Sequence, residues 1–256
     1  MRTHDDSPSV PTRLLRFCNL PLVEPSSNAR FVAFDLETTG VDAFVDRPVS
    51  FGFVERGSAG GFLEVGGLVN PGVSIPPGAA SIHGITDVVV RDAPILAEAI
   101  ELIAESVLEV WRSGGAIVGM NVAYDLTMVN SVLVHFGLTP LTPVGPVLDV
   151  LIIDRHFDRW RRGSRRLSDL CTFYGVTLDD AHAAVDDARA SLLVLEEQFR
   201  RFGELRDLAL DAMNENLGQW YREWLANFSL YLEKKGEPPI GRGRYSWPVH
   251  MFDSSK

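Results

Sequence analysis

FVAFDLETTG (31–40) is followed by VSFGFVE (49–55) and GFLEVGGLV (61–69). Each run is rich in β-branched or aromatic residues and is bounded by Gly, Asp or Pro, the punctuation of short strands. Three such runs in succession predict an antiparallel meander. Within the first run Asp35 and Glu37 lie two apart, and because strand side chains alternate, both project from one face at the end of an otherwise apolar strand. Close carboxylates in a partly buried place repel each other and force at least one to hold a proton. A divalent cation removes that cost, and carboxylate oxygens are ligands that Mg2+ and Mn2+ prefer. An acidic strand-end turn shows the same pair, so the reading depends on the Thr38-Thr39-Gly40 continuation and on the other acidic motifs downstream.

Outward from this stretch, NPGVSIPPGAASIHGITD (70–87) reads as a Pro- and Gly-rich loop. Residues 92–111 carry apolar side chains at helical spacing behind an Asp92 cap. AIVGMNV (116–122) reads as a buried strand, LTMVNSVLVHF (126–136) as a helix and PVLDVLII (146–153) as another strand-like run. RRLSDLCTFYGV (165–176) and DDARASLLVLEEQF (186–199) read as two more helices. Strands first, then alternation, predict an α/β fold with a mixed sheet flanked by helices. After Gly203, Leu217, Trp220, Tyr221, Trp224, Leu225, Phe228 and Leu232 recur at helical spacing up to Gly236. The expected organisation is an N-terminal segment (1–28), a main domain (29–203), a C-terminal helical extension (204–236) and an irregular tail (237–256). The extension either packs on its own domain or offers a face for self-association or a partner.

The 256 residues, 46% hydrophobic, suit one substantial core. No stretch has the length and apolarity of a signal peptide or a membrane span, which predicts a cytoplasmic location. Cys18 and Cys171 stand far apart and fit no metal-ligand or redox spacing, so both are expected as free thiols. The net charge of −10 argues against direct phosphate binding. It is, however, the balance expected of a site that first collects cations, which then meet an anionic substrate.

Two further motifs carry acids. In GMNVAYDLTMV (119–129), Asp125 opens a helix beside Asn121, a place where a plain helix cap would also put an acid. In HAAVDDA (182–188), His182 precedes a helix whose first turns hold Asp186 and Asp187. Histidine is the side chain best suited to take a proton near neutral pH.

Taken together, FDLETTG, NVAYDLTMV and a His followed five residues later by Asp resemble the DnaQ-like 3′–5′ exonucleases of the DEDDh branch, within the ribonuclease H-like superfamily. HGITD (83–87) and DAP (92–94) are similar to the family's sequence between the first two motifs. The resemblance spans about residues 28–202 and implies a metal-dependent exonuclease that releases nucleoside 5′-monophosphates. It implies two Mg2+ or Mn2+ ions held by Asp35, Glu37, Asp125 and Asp187, with His182 as the general base. The five-residue spacing selects Asp187 over Asp186. Thr38, Thr39 and Asn121 are implied to meet the terminal nucleotide, and His83 either touches the strand or is a satisfied structural histidine. Met120 departs from the family, many members of which have His there. Single-stranded or frayed DNA 3′ ends are the expected substrate, in proofreading or repair and with a polymerase as a possible partner. RNA trimming and a silent binding module are the alternatives, although no family acid and no family histidine is missing. Finally, RHFDRWRRGSRR (155–166) concentrates positive charge, and Arg161, Arg162 and Arg165 are expected to grip phosphates beside a stacking Trp160, unless they form a salt-bridged face.

Overall fold

The computed structural model describes residues 30–57, 60–142, 144–178 and 182–252. The predicted N-terminal segment and Cys18 lie outside the described residues. Strands β1 (Phe31–Thr38), β2 (Pro48–Arg56) and β3 (Phe62–Leu68) form the antiparallel meander, with β1 also pairing in parallel with β4 (Ala116–Gly119). The short β5 (Val147–Asp149) adds to β4 in parallel, giving the sheet order β3-β2-β1-β4-β5 with β1 in the middle.

Alternation along β1 sorts its side chains into two layers. Val32, Phe34 and Leu36 enter a core shared with α2 (Leu96–Arg112) and α3 (Ala123–His135). Ala33 enters a second core with α4 (Val150–Phe157), α5 (Leu167–Tyr174) and α6 (Ala184–Arg201). Asp35 and Glu37 share the parity of Ala33, so they continue the α6 face where the strand leaves the core. Numbering the short helix Pro77–His83 as α1 and Gly203–Arg206 as α7, the last long helix is α8 (Leu210–Lys234). Met213, Leu217, Tyr221 and Leu225 of α8 are buried in the second core. The segment after α8 folds back over the domain: the buried His250 donates its backbone N–H to Thr127 Oγ1 of α3 at 2.8 Å. Cys171 is a buried free thiol. No helix among the described residues is long and apolar enough to cross a membrane.

Three local expectations are corrected. Asp92 does not cap α2, which starts at Leu96 after the extended Ile95 with no side-chain cap. Pro94 keeps the residue before it out of the helical region, and its carbonyl accepts from Asn70 N–H instead. The loop after β3 contains α1, which opens on Pro77, a residue preorganised for a first helical position. The run PVLDVLII is strand for three residues only. Asp149 then accepts hydrogen bonds from the Leu151 and Ile152 N–H groups (2.9 and 3.3 Å) and starts α4.

Candidate active site

The site grows from the α6 side of β1. Asp35 pairs in register with Gly52, and Gly52 with Gly66, so the row crossing the sheet beside Asp35 carries no side chains. A Cβ on Gly52 would stand 2.5 Å from backbone atoms of Ala184 and Val185, and one on Gly66 would collide with Val185. The first turn of α6 therefore lies directly on the strands, which brings Asp187 against Asp35 and Glu37. Ligand atoms of Glu37, His182 and Asp187 all fall within 4.8 Å of one another. Asp186 turns the other way and forms an ion pair with Arg189, which also holds Glu64. Only Asp187 of the two thus belongs to the cluster.

Asp125 arrives from the far side of β1, in the first turn of α3. The approach to α3 is a tight turn in which Asn121 adopts a left-handed φ of 59°. The buried Asp149 anchors that turn by accepting from Val122 N–H at 3.1 Å while it caps α4. Asp149 was missed by sequence reasoning, although a lone acid inside the apolar run PVLDVLII was a signal. Burial raises its carboxyl to about 6. Among the described residues, His182 is the other non-glycine residue with positive φ, at 72°.

The electrostatics follow from this crowding. Burial, and then the charges of Asp125, Asp187 and Glu37, push the Asp35 carboxyl well above the usual carboxylate range. Burial and Asp187 push Glu37 up to about 8. Asp125 is also held well above its ordinary value, chiefly by burial, although the Leu36 backbone amide works against the shift. Four acids that cannot all ionise in one place are a donor set suited to divalent cations, which would let them ionise together.

The neighbouring polar residues divide by role. Thr39 is buried: its hydroxyl donates to Asp46 (2.9 Å) and accepts from Arg47 N–H (3.0 Å), which ties down the loop after β1. Thr38 Oγ1 and Tyr124 OH both donate to Gly40 O at 2.6 Å. His83 accepts from Ile85 N–H at Nδ1 (3.1 Å), so its Nε2 carries the proton and donates to Thr38 O (3.3 Å). Both ring nitrogens of His83 are engaged, and burial lowers its pKa. Asn121 is exposed in the turn that leads into α3.

The arginine run is not the free grip expected from sequence. Arg161 and Arg165 both bind Asp154, a carboxylate with no exposed surface that also accepts from Tyr174 OH at 3.0 Å. Two cations around one buried acid form an internal staple, and their guanidinium groups are spent there. Arg162 is exposed, as is Trp160, which lies under Arg159.

Several known proteins share this arrangement of sequence or fold. A PolC-type DNA polymerase III from Caldanaerobacter subterraneus subsp. tengcongensis is 27% identical over 194 residues, which cover 76% of this chain and 13% of that protein. The chain thus spans a small part of the length of the PolC-type relatives that it matches. The DNA polymerase III subunit epsilon of Treponema pallidum is 30% identical over 163 residues, covering 63% of this chain and 73% of that subunit. In fold, the chain is similar to E. coli Exonuclease I in complex with a dA16 oligonucleotide, with a TM-score of 0.57 and 23% identity over 70% of this chain and 43% of the other. Exonuclease X in complex with 5′ overhanging duplex DNA superposes with a TM-score of 0.54 and 19% identity, over 73% of this chain and 99% of the other. Residues 32–195, well over half of the chain and including every acid of the cluster, match the exonuclease family RNase_T. The protein belongs to that family.

Proposed function

We propose that this domain removes nucleotides from the 3′ end of single-stranded DNA, releasing nucleoside 5′-monophosphates, with two Mg2+ or Mn2+ ions at the acidic cluster. The observation that carries the reading is the meeting of Asp35, Glu37 and Asp187 with His182 at the end of a central strand, with Asp125 alongside. Asp35, Glu37, Asp125 and Asp187 would hold the ions. When bound, the ions would neutralise the acids and polarise the phosphodiester. Asp35 and Glu37 are fixed by the sheet and Asp187 by the close seat of α6, so the anionic groups are oriented before substrate arrives. His182 stands at the lip of the cluster, where its ring can take the proton of an attacking water. Thr38 and Asn121 would meet the terminal nucleotide, whereas Thr39 ties down the loop that follows Thr38. DNA is favoured over RNA by the relatives, which are DNA polymerase III proteins.

The test is digestion of 5′-labelled single-stranded DNA and RNA with Mg2+, Mn2+ or EDTA. The expected result is a ladder on DNA that shortens from the 3′ end and disappears in EDTA. Products that retain full length at the 3′ end, or cleavage undiminished by EDTA, would overturn the proposal. Preferential degradation of RNA would overturn the choice of sugar.

A further inference from the structure

Beside the acidic cluster lies a cavity of about 400 Å³ whose lining includes His182 and Asp187. Ile82, Leu167 and Leu178 give it apolar walls, and among the described residues Arg166 is the one arginine or lysine in its lining. The volume lies within the range of small-molecule pockets, about 300–1,000 Å³, and suits a single nucleotide unit. A strand entering here meets a chain of net charge −10, so beyond the ions proposed at the acids its backbone needs a further cation from the cavity lining.

The arginine run supplies that cation at one position. Arg161 and Arg165 are committed to Asp154. Arg155 is half-buried and lies over the Trp224 ring at 3.6 Å. Arg159 lies over Trp160, and Arg162 lines no part of the cavity. Arg166 is exposed and sits at the start of α5, where its backbone N–H donates to Asp169 at 3.0 Å. Asp169 also bonds Ser164. The Asp154 staple thus fixes the segment on one side of Arg166 and α5 fixes the other.

We propose that Arg166 is a phosphate-binding residue of this cavity, holding the backbone of the nucleotide lodged against His182 and Asp187, with the Arg161–Asp154–Arg165 staple presenting it. The inference rests on the proposed nuclease function. Arginine suits the task because its planar fork engages two phosphate oxygens at once and stays charged.

The test is fluorescence anisotropy of a labelled single-stranded oligonucleotide, with Ca2+ in place of Mg2+ and at several salt concentrations, for wild type, Arg166→Ala, Arg166→Lys and Arg159→Ala. Arg159→Ala removes the same charge from the same segment. The expected result for Arg166→Ala is affinity about tenfold weaker at low salt and a logarithmic salt dependence shallower by about 0.7, the value for one single-strand phosphate. Arg166→Lys should recover part of the loss, and Arg159→Ala should match wild type. In Mg2+, Arg166→Ala should raise KM and leave kcat and the Mg2+ requirement nearly unchanged. Wild-type affinity and slope in Arg166→Ala, or equal losses in both alanine variants, would overturn the assignment. A wild type that neither binds nor shortens single-stranded DNA would overturn the nuclease reading itself, which separates the two failures.

Discussion

Raising the pH of the metal-free protein should weaken it, and divalent cations should cancel the effect. The Glu37 carboxyl is pushed up to about 8 in the fold, against 4.5 for an ordinary glutamate. Between these values the folded protein keeps a proton that the unfolded chain has released. The stabilisation from that proton is complete below about pH 4.5 and is lost as pH rises through about 8. Each such proton is worth about 1.36 kcal/mol per pH unit, so Glu37 alone withdraws about 1–2 kcal/mol between about pH 6.5 and about pH 8. In a chain of this size that lowers Tm by about 3–6 °C. Asp35 and Asp125, also held high, act in the same direction. His83, His156 and His250 act oppositely, because burial lowers each of them and stability from such groups grows as pH rises. The metal-dependent difference isolates the acids. Thermal melting in EDTA and in saturating Mg2+ should give a gain from Mg2+ that is larger at pH 8 than at pH 6.5, and Glu37→Gln should shrink that change. A Mg2+ gain that is the same at every pH, with Glu37→Gln behaving as wild type, would refute the reasoning.

Asp35→Asn should lower turnover on single-stranded DNA by about 10³-fold or more, since it removes the most central acid, while raising Tm in EDTA by relieving repulsion; normal turnover would remove Asp35 from the catalytic set. Gly52→Ala should destabilise by about 1–3 kcal/mol in denaturant melts, because the new methyl meets the α6 backbone. It should also cut activity by about 10²-fold by displacing Asp187, an effect absent if α6 can lift without moving the acid. The double variant Arg161→Ala/Arg165→Ala leaves Asp154 buried with only Tyr174, and should cost about 3–5 kcal/mol by the same measurement. A near-neutral result would mean that Asp154 reaches water.

The meander was readable because its strands alternate and are cleanly punctuated. The acidic motifs were readable because two carboxylates on one face of an apolar strand are costly unless a cation joins them. What stayed hidden depends on contacts between distant segments. Asp154, in the apolar run LIID, gives no hint that two arginines seven and eleven residues later will converge on it, so charge density there looked like a binding surface. Gly52 and Gly66 read as ordinary strand residues until α6 is laid across them. The strand β5 is too short for alternation to show, and the capping role of Asp149 ends it early. The start of α2 was set by Pro94, a local rule available in the sequence but outweighed by the attraction of Asp92 as a cap.

Among the described residues, the two non-glycine positions in the left-handed region are Asn121, in the turn before α3, and His182, beside Glu37 and Asp187. A side chain in that conformation costs about 1–2 kcal/mol that glycine does not incur, less for Asn because its amide bonds locally. Screening random variants for heat resistance alone should therefore enrich glycine at positions 121 and 182. The hardiest clones from such a screen would be those that had lost His182, the proton acceptor proposed above. Any programme to toughen this protein has to score turnover alongside melting temperature, because under the proposed function the two qualities select opposite residues at position 182.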